Sequence, residues 1–225
     1  IDTNKLYEYY RKSALENGAQ IRKKTKLKSA YQKNKKWEIE SSDGDISAST
    51  LINAAGAWAD KVAEFCGVSK LNIRPFKRSI ARMRAPTGIN VQNWPMIDGG
   101  GETWYAKPDA GSLIISPADK ELVDPHDAWA DDKTLATGVE SFQGVINAPI
   151  DRMLSNWAGL RSFAPDGNLV IGPDKNNPSF FWFAGQGGYG FQTASAASQL
   201  LSDLYLEKKV SVESETLLAL LPSRF

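Results

Sequence analysis

The sequence predicts a mixed α/β protein, α/β with an α+β portion, on three observations. Segments with helical spacing and capping residues stand near both ends of the chain. Short strand-like runs separated by turn residues fill the middle. An apolar run over Phe180–Ala184 leads through a glycine-rich turn into the strongest helical pattern, Gln192–Leu206.

Taken in order, Asp2 and Thr3 cap a helix whose apolar positions Leu6, Tyr9, Tyr10 and Ala14 keep helical spacing. Gly18 then supplies the left-handed residue that a helix C-terminus favours. Gln20–Tyr31 reads as a strand despite its lysines. Trp37–Ser41 and Ile46–Ala54 flank the hairpin signal Asp43-Gly44. A helical pattern resumes over Ala57–Phe65 and stops at Gly67. From Arg74 onward the runs Arg74–Ala85, Thr103–Lys107 and Ser112–Pro117 read as strands, the last two joined by a turn through Pro108-Asp109-Ala110-Gly111. Thr134–Val145 reads as a helix. Trp157–Phe163 and Leu169–Gly172 are further strands before Phe180–Ala184. The chain holds no internal repeat and no low-complexity tract.

Composition narrows the function classes. With 225 residues and 42% hydrophobic content the chain is too apolar for disorder. Lys+Arg at 27 against Asp+Glu at 26 gives no field for a nucleic-acid partner. Eleven basic residues do fall among the first 36, most densely at Arg22, Lys23, Lys24, Lys26 and Lys28. A solvated strand edge, where lysine blocks edge-to-edge pairing, explains them without a nucleic-acid arm. A single cysteine excludes an intramolecular disulfide and a cysteine-based zinc site, and a single histidine excludes a His-rich metal centre. No apolar run approaches the ~18 residues of a membrane span, and no signal-peptide pattern opens the chain. The expectation is a soluble, cytoplasmic protein with no membrane span and no metal.

Three segments carry candidate chemistry. Gly185-Gln-Gly-Gly-Tyr-Gly190 fits G-x-G-x-x-G between a strand and a helix. A dinucleotide fingerprint also needs a following strand that ends in an acidic residue, and the short remainder of the chain supplies none. Two readings stay open: a tight strand-to-helix turn, or glycines that let backbone N–H groups approach an electron-rich ligand. In Trp157-Ala-Gly-Leu-Arg161-Ser-Phe163 an arginine stands among apolar residues. Either it pairs with an internal Asp or Glu, or its planar fork is free for a ligand carboxylate. Ile52–Ala59 combines a strand, a small-residue turn and a helix start, which is a tight crossover or a surface for a ligand against the backbone. No Gly-x-Ser-x-Gly elbow exists. His126 falls in a loop, and Cys66 ends a helix amid apolar residues and reads as a buried structural thiol.

Taken together these segments resemble the D-amino-acid oxidase/dehydrogenase superfamily of FAD-dependent flavoproteins, most closely the D-arginine dehydrogenase type. The resemblance is carried by seven blocks in order: Asn53-Ala-Ala-Gly-Ala-Trp58, Lys77-Arg-Ser79, Trp94-Pro-Met96, Tyr105-Ala-Lys-Pro-Asp-Ala-Gly111, Ser116-Pro-Ala118, Trp157–Phe163 and Gln186-Gly-Gly-Tyr-Gly190. It implies a partial FAD-binding, Rossmann-like domain of the glutathione-reductase type and an antiparallel-sheet substrate domain. Residues 1–73 and 156–225 would belong to the first and 74–155 to the second. The family's N-terminal βαβ unit with its own glycine-rich loop is not in this sequence. The resemblance therefore implies that the chain is a C-terminal part, that its partner is that missing segment, that it tends to self-associate, and that residues 1–225 alone hold no stoichiometric FAD and show no turnover.

The resemblance also implies site residues. Arg161 would clamp the substrate α-carboxylate, Tyr105 would donate a hydrogen bond to it, and Arg78 would stand nearby as a second arginine. Gly188 would meet the substrate amine, and Gln192 would lie near flavin and substrate. Leu27, Ala54, Gly56, Trp58, Gly187, Gly188, Tyr189, Gly190 and Gln192 would contact FAD. The implied reaction is hydride transfer from Cα of a D-amino acid, basic ones such as D-arginine among them, to flavin N5; the imino acid then hydrolyses to a 2-oxo acid and ammonia. A non-catalytic remnant that binds small carboxylates without FAD is the alternative, and an unrelated α/β binding domain a third.

Overall fold

The computed structural model describes residues 1–146 and 148–225 of the chain. They form two compact units, one of residues 1–73 and 162–225, the other of residues 74–161.

The first unit opens with helix α1 (Thr3–Glu16), whose N-cap Asp2 accepts a hydrogen bond from the Lys5 N–H at 3.0 Å. Gly18 follows it with a φ of +88°. Strands β1 (Leu27–Lys33), β2 (Lys36–Ser41) and β3 (Ile46–Ala48) make an antiparallel sheet in that order. The strand expected from Gln20 starts only at Leu27, because the lysine-rich segment before it turns through Lys24 in the left-handed region. The expected run Ile46–Ala54 is likewise two strands, since β4 (Leu51–Asn53) belongs to a second sheet. A 3-10 turn over Gly56–Trp58 then leads into α2 (Ala59–Phe65).

That second sheet runs β11 (Val170–Pro173), β12 (Phe180–Ala184), β4, with β12 antiparallel to β11 and parallel to β4. Both of its faces are covered. On one side Val170, Phe180, Trp182 and Ala184 pack with Trp37, Ala59 and Ala63. On the other, Ile171 packs with Ala197 and Leu200 of α4 (Gly190–Tyr205) and with partly buried leucines of α5 (Ser214–Leu220). The polar atoms inside this core are satisfied. Trp37 donates its indole N–H to Ser179, and Trp182 donates its own to Asp174, whose carboxylate also accepts from the N–H groups of Asn176 and Asn177.

The second unit is built on β5 (Arg74–Arg84), β6 (Ile97–Asp98), β7 (Tyr105–Asp109), β8 (Ser112–Ser116), β9 (Glu121–Leu122) and β10 (Met153–Phe163). They form one sheet in the order β10-β5-β8-β7-β6, with β9 also paired to β5. The chain passes from this unit to the other inside β10, between Arg161 and Ser162, later than the 155/156 division read from the sequence. β7 and β8 are joined through Ala110 and Gly111, both with positive φ, the geometry of a type I′ hairpin. Ala81, Met83, Ala106, Leu113 and Ile115 line one face and pack against Leu135, Val139 and Phe142 of α3 (Asp132–Gln143). On β5 these alternate with Arg78, Ile80 and Arg82, which the pleat turns to the other face.

The contact between α3 and the end of β8 depends on Gly138. A Cβ built there would stand 2.7 Å from the Pro117 nitrogen and 2.8 Å from its Cα. Gly138→Ala should gain up to about 1 kcal/mol of helix propensity. It should nonetheless destabilise the protein by about 1–3 kcal/mol, the usual cost of overpacking. Urea denaturation measures the difference; a stabilised variant would mean that α3 moves off Pro117 without cost.

Candidate functional site

Two groups of the expected residues occur, one in each unit. In the second unit β5 presents Arg78, β7 starts at Tyr105, and Arg161 stands near the end of β10. All three side chains are half-buried. They feel one another: burial first, then the positive charge of Arg161, holds the Arg78 guanidinium below its ordinary value, while Tyr105, Asp119 and Glu102 act in the opposite sense. Lys77 pairs with Glu121 and Arg82 with Asp109, and among the described residues neither Arg78 nor Arg161 takes part in an ion pair. The Nε of Arg78 is buried without a hydrogen-bond partner. Of the two readings left open for Arg161, the internal ion pair does not occur among the described residues.

In the first unit the glycine-rich turn follows β12. Gly185 has a φ of +75° and Gly187 one of +52°, conformations that side-chain-bearing residues seldom adopt. The Gly187 N–H donates to the Ser162 carbonyl at 2.8 Å, and a Cβ on Gly187 would stand 2.6 Å from the Phe163 ring. Gln186 anchors the turn by donating its side-chain amide to the Phe183 carbonyl at 3.0 Å. Helix α4 then starts at Gly190 with no side-chain cap, and its first intrahelical bond runs from the Thr193 N–H to the Tyr189 carbonyl. The N–H groups of Gly190, Phe191 and Gln192 therefore have no intrahelical acceptor. Tyr189 is 57% exposed and Phe191 52%, so these donors lie at an accessible helix end.

The other expected contacts also fall in this unit. Leu27 begins β1, the outer strand of its sheet. Ala54 and Trp58 are exposed, and Gly56 has a φ of +55° with open space where a Cβ would point. Asn53 organises this crossover: its amide donates to the Ala59 carbonyl at 2.8 Å and its carbonyl accepts from the Ala55 N–H at 3.3 Å. Gly188 lies in the glycine turn and Gln192 in α4, in a different unit from Arg78, Tyr105 and Arg161.

The residues set aside for chemistry stay aside. Cys66 is buried, and burial pushes its thiol up to about 11, far from the range of a nucleophile. His126 is exposed and contacts the Asp124 carbonyl. Among the described residues no group of three or more His, Cys, Asp or Glu side chains forms a metal site, and no helix is long and apolar enough to cross a membrane. No sequence signal marks Phe163 as the wall of the glycine turn, nor Asp119, whose partners become visible only when β8 and β5 pair.

A protein family described as DAO, FAD dependent oxidoreductase, matches residues 1–204, and the chain belongs to that family. It is 25% identical over 203 residues to "FAD-dependent oxidoreductase domain-containing protein 1" of Bos taurus, covering 80% of this chain and 40% of that protein. Its fold is similar to that of glycine oxidase from Geobacillus kaustophilus, with a TM-score of 0.75 at 19% identity, covering 89% of this chain and 53% of the other. It is also similar to that of L-proline dehydrogenase from P. horikoshii, with a TM-score of 0.76 at 24% identity, covering 91% and 56%. The chain thus spans about half the length of the relatives it matches. The donor set suits FAD: an uncapped helix end with three spare N–H groups favours the electron-rich edge of a flavin, and the open Gly56 crossover leaves backbone accessible.

The close approach of Gly187 to Phe163 makes a direct test of the turn. Gly187→Ala should cost about 1–3 kcal/mol through backbone strain and overpacking together. In the full-length flavoprotein it should also lower the amount of bound FAD. Thermal unfolding and the flavin-to-protein absorbance ratio report the two effects; a variant with native values of both would show that the loop has room to spare.

Proposed function

We propose that this chain is the substrate-holding part of an FAD-dependent enzyme that dehydrogenates small amino acids, D-amino acids as the resemblance implies. One observation carries the reading: two neighbouring guanidinium groups, Arg78 and Arg161, have no carboxylate ion-pair partner among the described residues, and a tyrosine stands beside them. Buried or half-buried arginine is costly without a counter-charge. A ligand carboxylate supplies that charge and fits the planar fork.

In this reading Arg161 fixes the carboxylate bidentately, Arg78 adds a second cation, and Tyr105 Oη donates to the same group. Holding the carboxylate fixes the direction of the Cα–H bond, which is the main service such a site provides. The spare N–H groups of Gly190, Phe191 and Gln192 stabilise negative charge on the ring edge that they face. FAD, when bound, supplies the redox chemistry by accepting a hydride from Cα. The imino acid formed hydrolyses in water to a 2-oxo acid and ammonia. Basic substrates such as D-arginine remain part of the proposal, with exposed Glu102, whose charge also acts on Arg78, as an acidic side chain of the same unit.

Steady-state kinetics of the full-length flavoprotein with glycine, D-alanine and D-arginine test the assignment. Arg161→Ala should cost about 2–5 kcal/mol in kcat/KM, the range for removing one partner of a buried charge pair. Arg161→Lys should recover part of this, because an ammonium cannot reproduce the fork. Native kinetics with reduced thermal stability would make Arg161 a structural residue. In the same assay Tyr105→Phe should cost roughly 0.5–3 kcal/mol, the span from a neutral to a charge-assisted hydrogen bond. No loss would remove Tyr105 from the site.

A further inference from the structure

Strand β5 is paired unevenly along one edge. Residues 81–84 pair with β8 and residues 76–77 with β9, so Ser79 falls between the two registers. Its backbone is satisfied by side chains instead. The Ser79 N–H donates to Asp119 Oδ1 at 2.7 Å, and its hydroxyl donates to Asp119 Oδ2 at 2.8 Å. The Ser79 carbonyl accepts from the Ser116 hydroxyl at 2.7 Å, and the Ser116 Oγ accepts in turn from the Ala118 N–H at 3.1 Å. Ser79 and Ser116 are completely buried. Ala118 takes a φ of +52°, a left-handed conformation that costs an alanine energy and turns the chain so that Asp119 points back at β5.

Ser79 is the residue next to Arg78, and the pleat puts their side chains on opposite faces of the sheet. Ser116 is the direct cross-strand partner of Tyr105. One network of two serines and one aspartate therefore fixes the backbone beside Arg78 and the strand opposite Tyr105. Asp119 also brings a negative charge close enough to favour the charged form of Arg78 against the repulsion of Arg161. Both carboxylate oxygens are occupied by Ser79, and Asp119 forms no ion pair with Arg78, so the guanidinium stays available.

We propose that Asp119 is a positioning residue for carboxylate binding: through Ser79 it sets the placement of Arg78, and through its charge it lets Arg78 and Arg161 share one side of the sheet. The inference rests on the reading that these arginines hold a substrate carboxylate. It adds a residue that touches neither substrate nor cofactor, on a loop whose sequence shows no sign of a site.

The test uses the full-length flavoprotein, with acetate as a redox-inert probe followed by calorimetry and with the KM and kcat of the best amino-acid substrate. Asp119→Asn keeps an acceptor for the Ser79 N–H and removes the charge. It should weaken acetate binding and raise KM about tenfold, the size of one lost charge-assisted contact, with kcat within about twofold. Asp119→Glu should recover much of the loss, because the charge returns one methylene further out. Ser79→Ala removes a single hydrogen bond and should weaken acetate about threefold; it carries the test if Asp119→Asn does not accumulate as folded protein. Unchanged acetate affinity and KM in Asp119→Asn, or in Ser79→Ala where that variant stands in, overturns the proposal whatever happens to the melting temperature. Arg161→Ala separates the two claims. If it weakens acetate and Asp119→Asn does not, the positioning role alone falls. If wild type binds acetate no better than Arg161→Ala does, the carboxylate reading falls and the positioning role with it.

Discussion

Strand β12 is the constraint on which the first unit depends. Its residues alternate between two buried layers, Phe180, Trp182 and Ala184 toward Trp37 and α2, and Phe183 toward the helices on the far side. A strand covered on both faces leaves no exposed position for a polar side chain, so its polar requirements are met at its edges and ends. The parallel pairing to β4 and the antiparallel pairing to β11 settle the edges. Asp174 settles one end by accepting from two loop N–H groups and the Trp182 indole. At the other end the chain must turn sharply from a buried strand into α4, and the positive φ of Gly185 and Gly187 makes that turn possible. The spare N–H groups at the start of α4 follow, since the N-cap residue Tyr189 makes no side-chain cap hydrogen bond.

The second unit solves a different problem, that of keeping positive charges on a sheet without neutralising them. Two devices serve it. On the face toward α3, β5 and its neighbours carry apolar residues that bury fully and hold the strands rigid. Along the edge of β5, Asp119 and Ser116 replace strand pairing where β8 and β9 part. Arg82, four residues from Arg78 on the same face, shows the ordinary outcome: it pairs with Asp109, across the sheet. Among the described residues Arg78 and Arg161 form no such ion pair, and the proposed carboxylate role rests on that contrast within one sheet.

The sequence makes the elements legible where a local rule governs them. Asp2 as a cap, Gly18 and Gly67 as helix stops, and the Ala110-Gly111 hairpin all act within a few residues, and they appear where expected. The break of Ile46–Ala54 into β3 and β4 has no local signal, because it is decided by which sheet each half joins. The helix α5 was also silent: it has no side-chain cap and holds its place through leucines packed on β11. The site divides the same way. Arginine among apolar residues and glycines before a helix are visible in the sequence, whereas the absence of an acid beside Arg161 is a fact of three dimensions. Asp119 directly follows the Ser116-Pro-Ala118 block, and nothing local distinguishes it from a solvent-facing acid.

The two groups of residues share one physical character. A guanidinium stays protonated over any pH at which a protein remains folded, and a backbone N–H does not titrate. Neither group therefore includes a side chain that must change its charge for the site to be ready. Cys66, which burial keeps protonated, supplies no such switch either. What this chain contributes is fixed dipoles and fixed charges in positions that the fold pays for in strain at Ala118 and in repulsion between Arg78 and Arg161. Preorganised charge of this kind needs no rearrangement when a ligand arrives, because the cost was met during folding. In the proposed reading, that places the chemical burden on whatever the charges hold and leaves these residues the task of orientation.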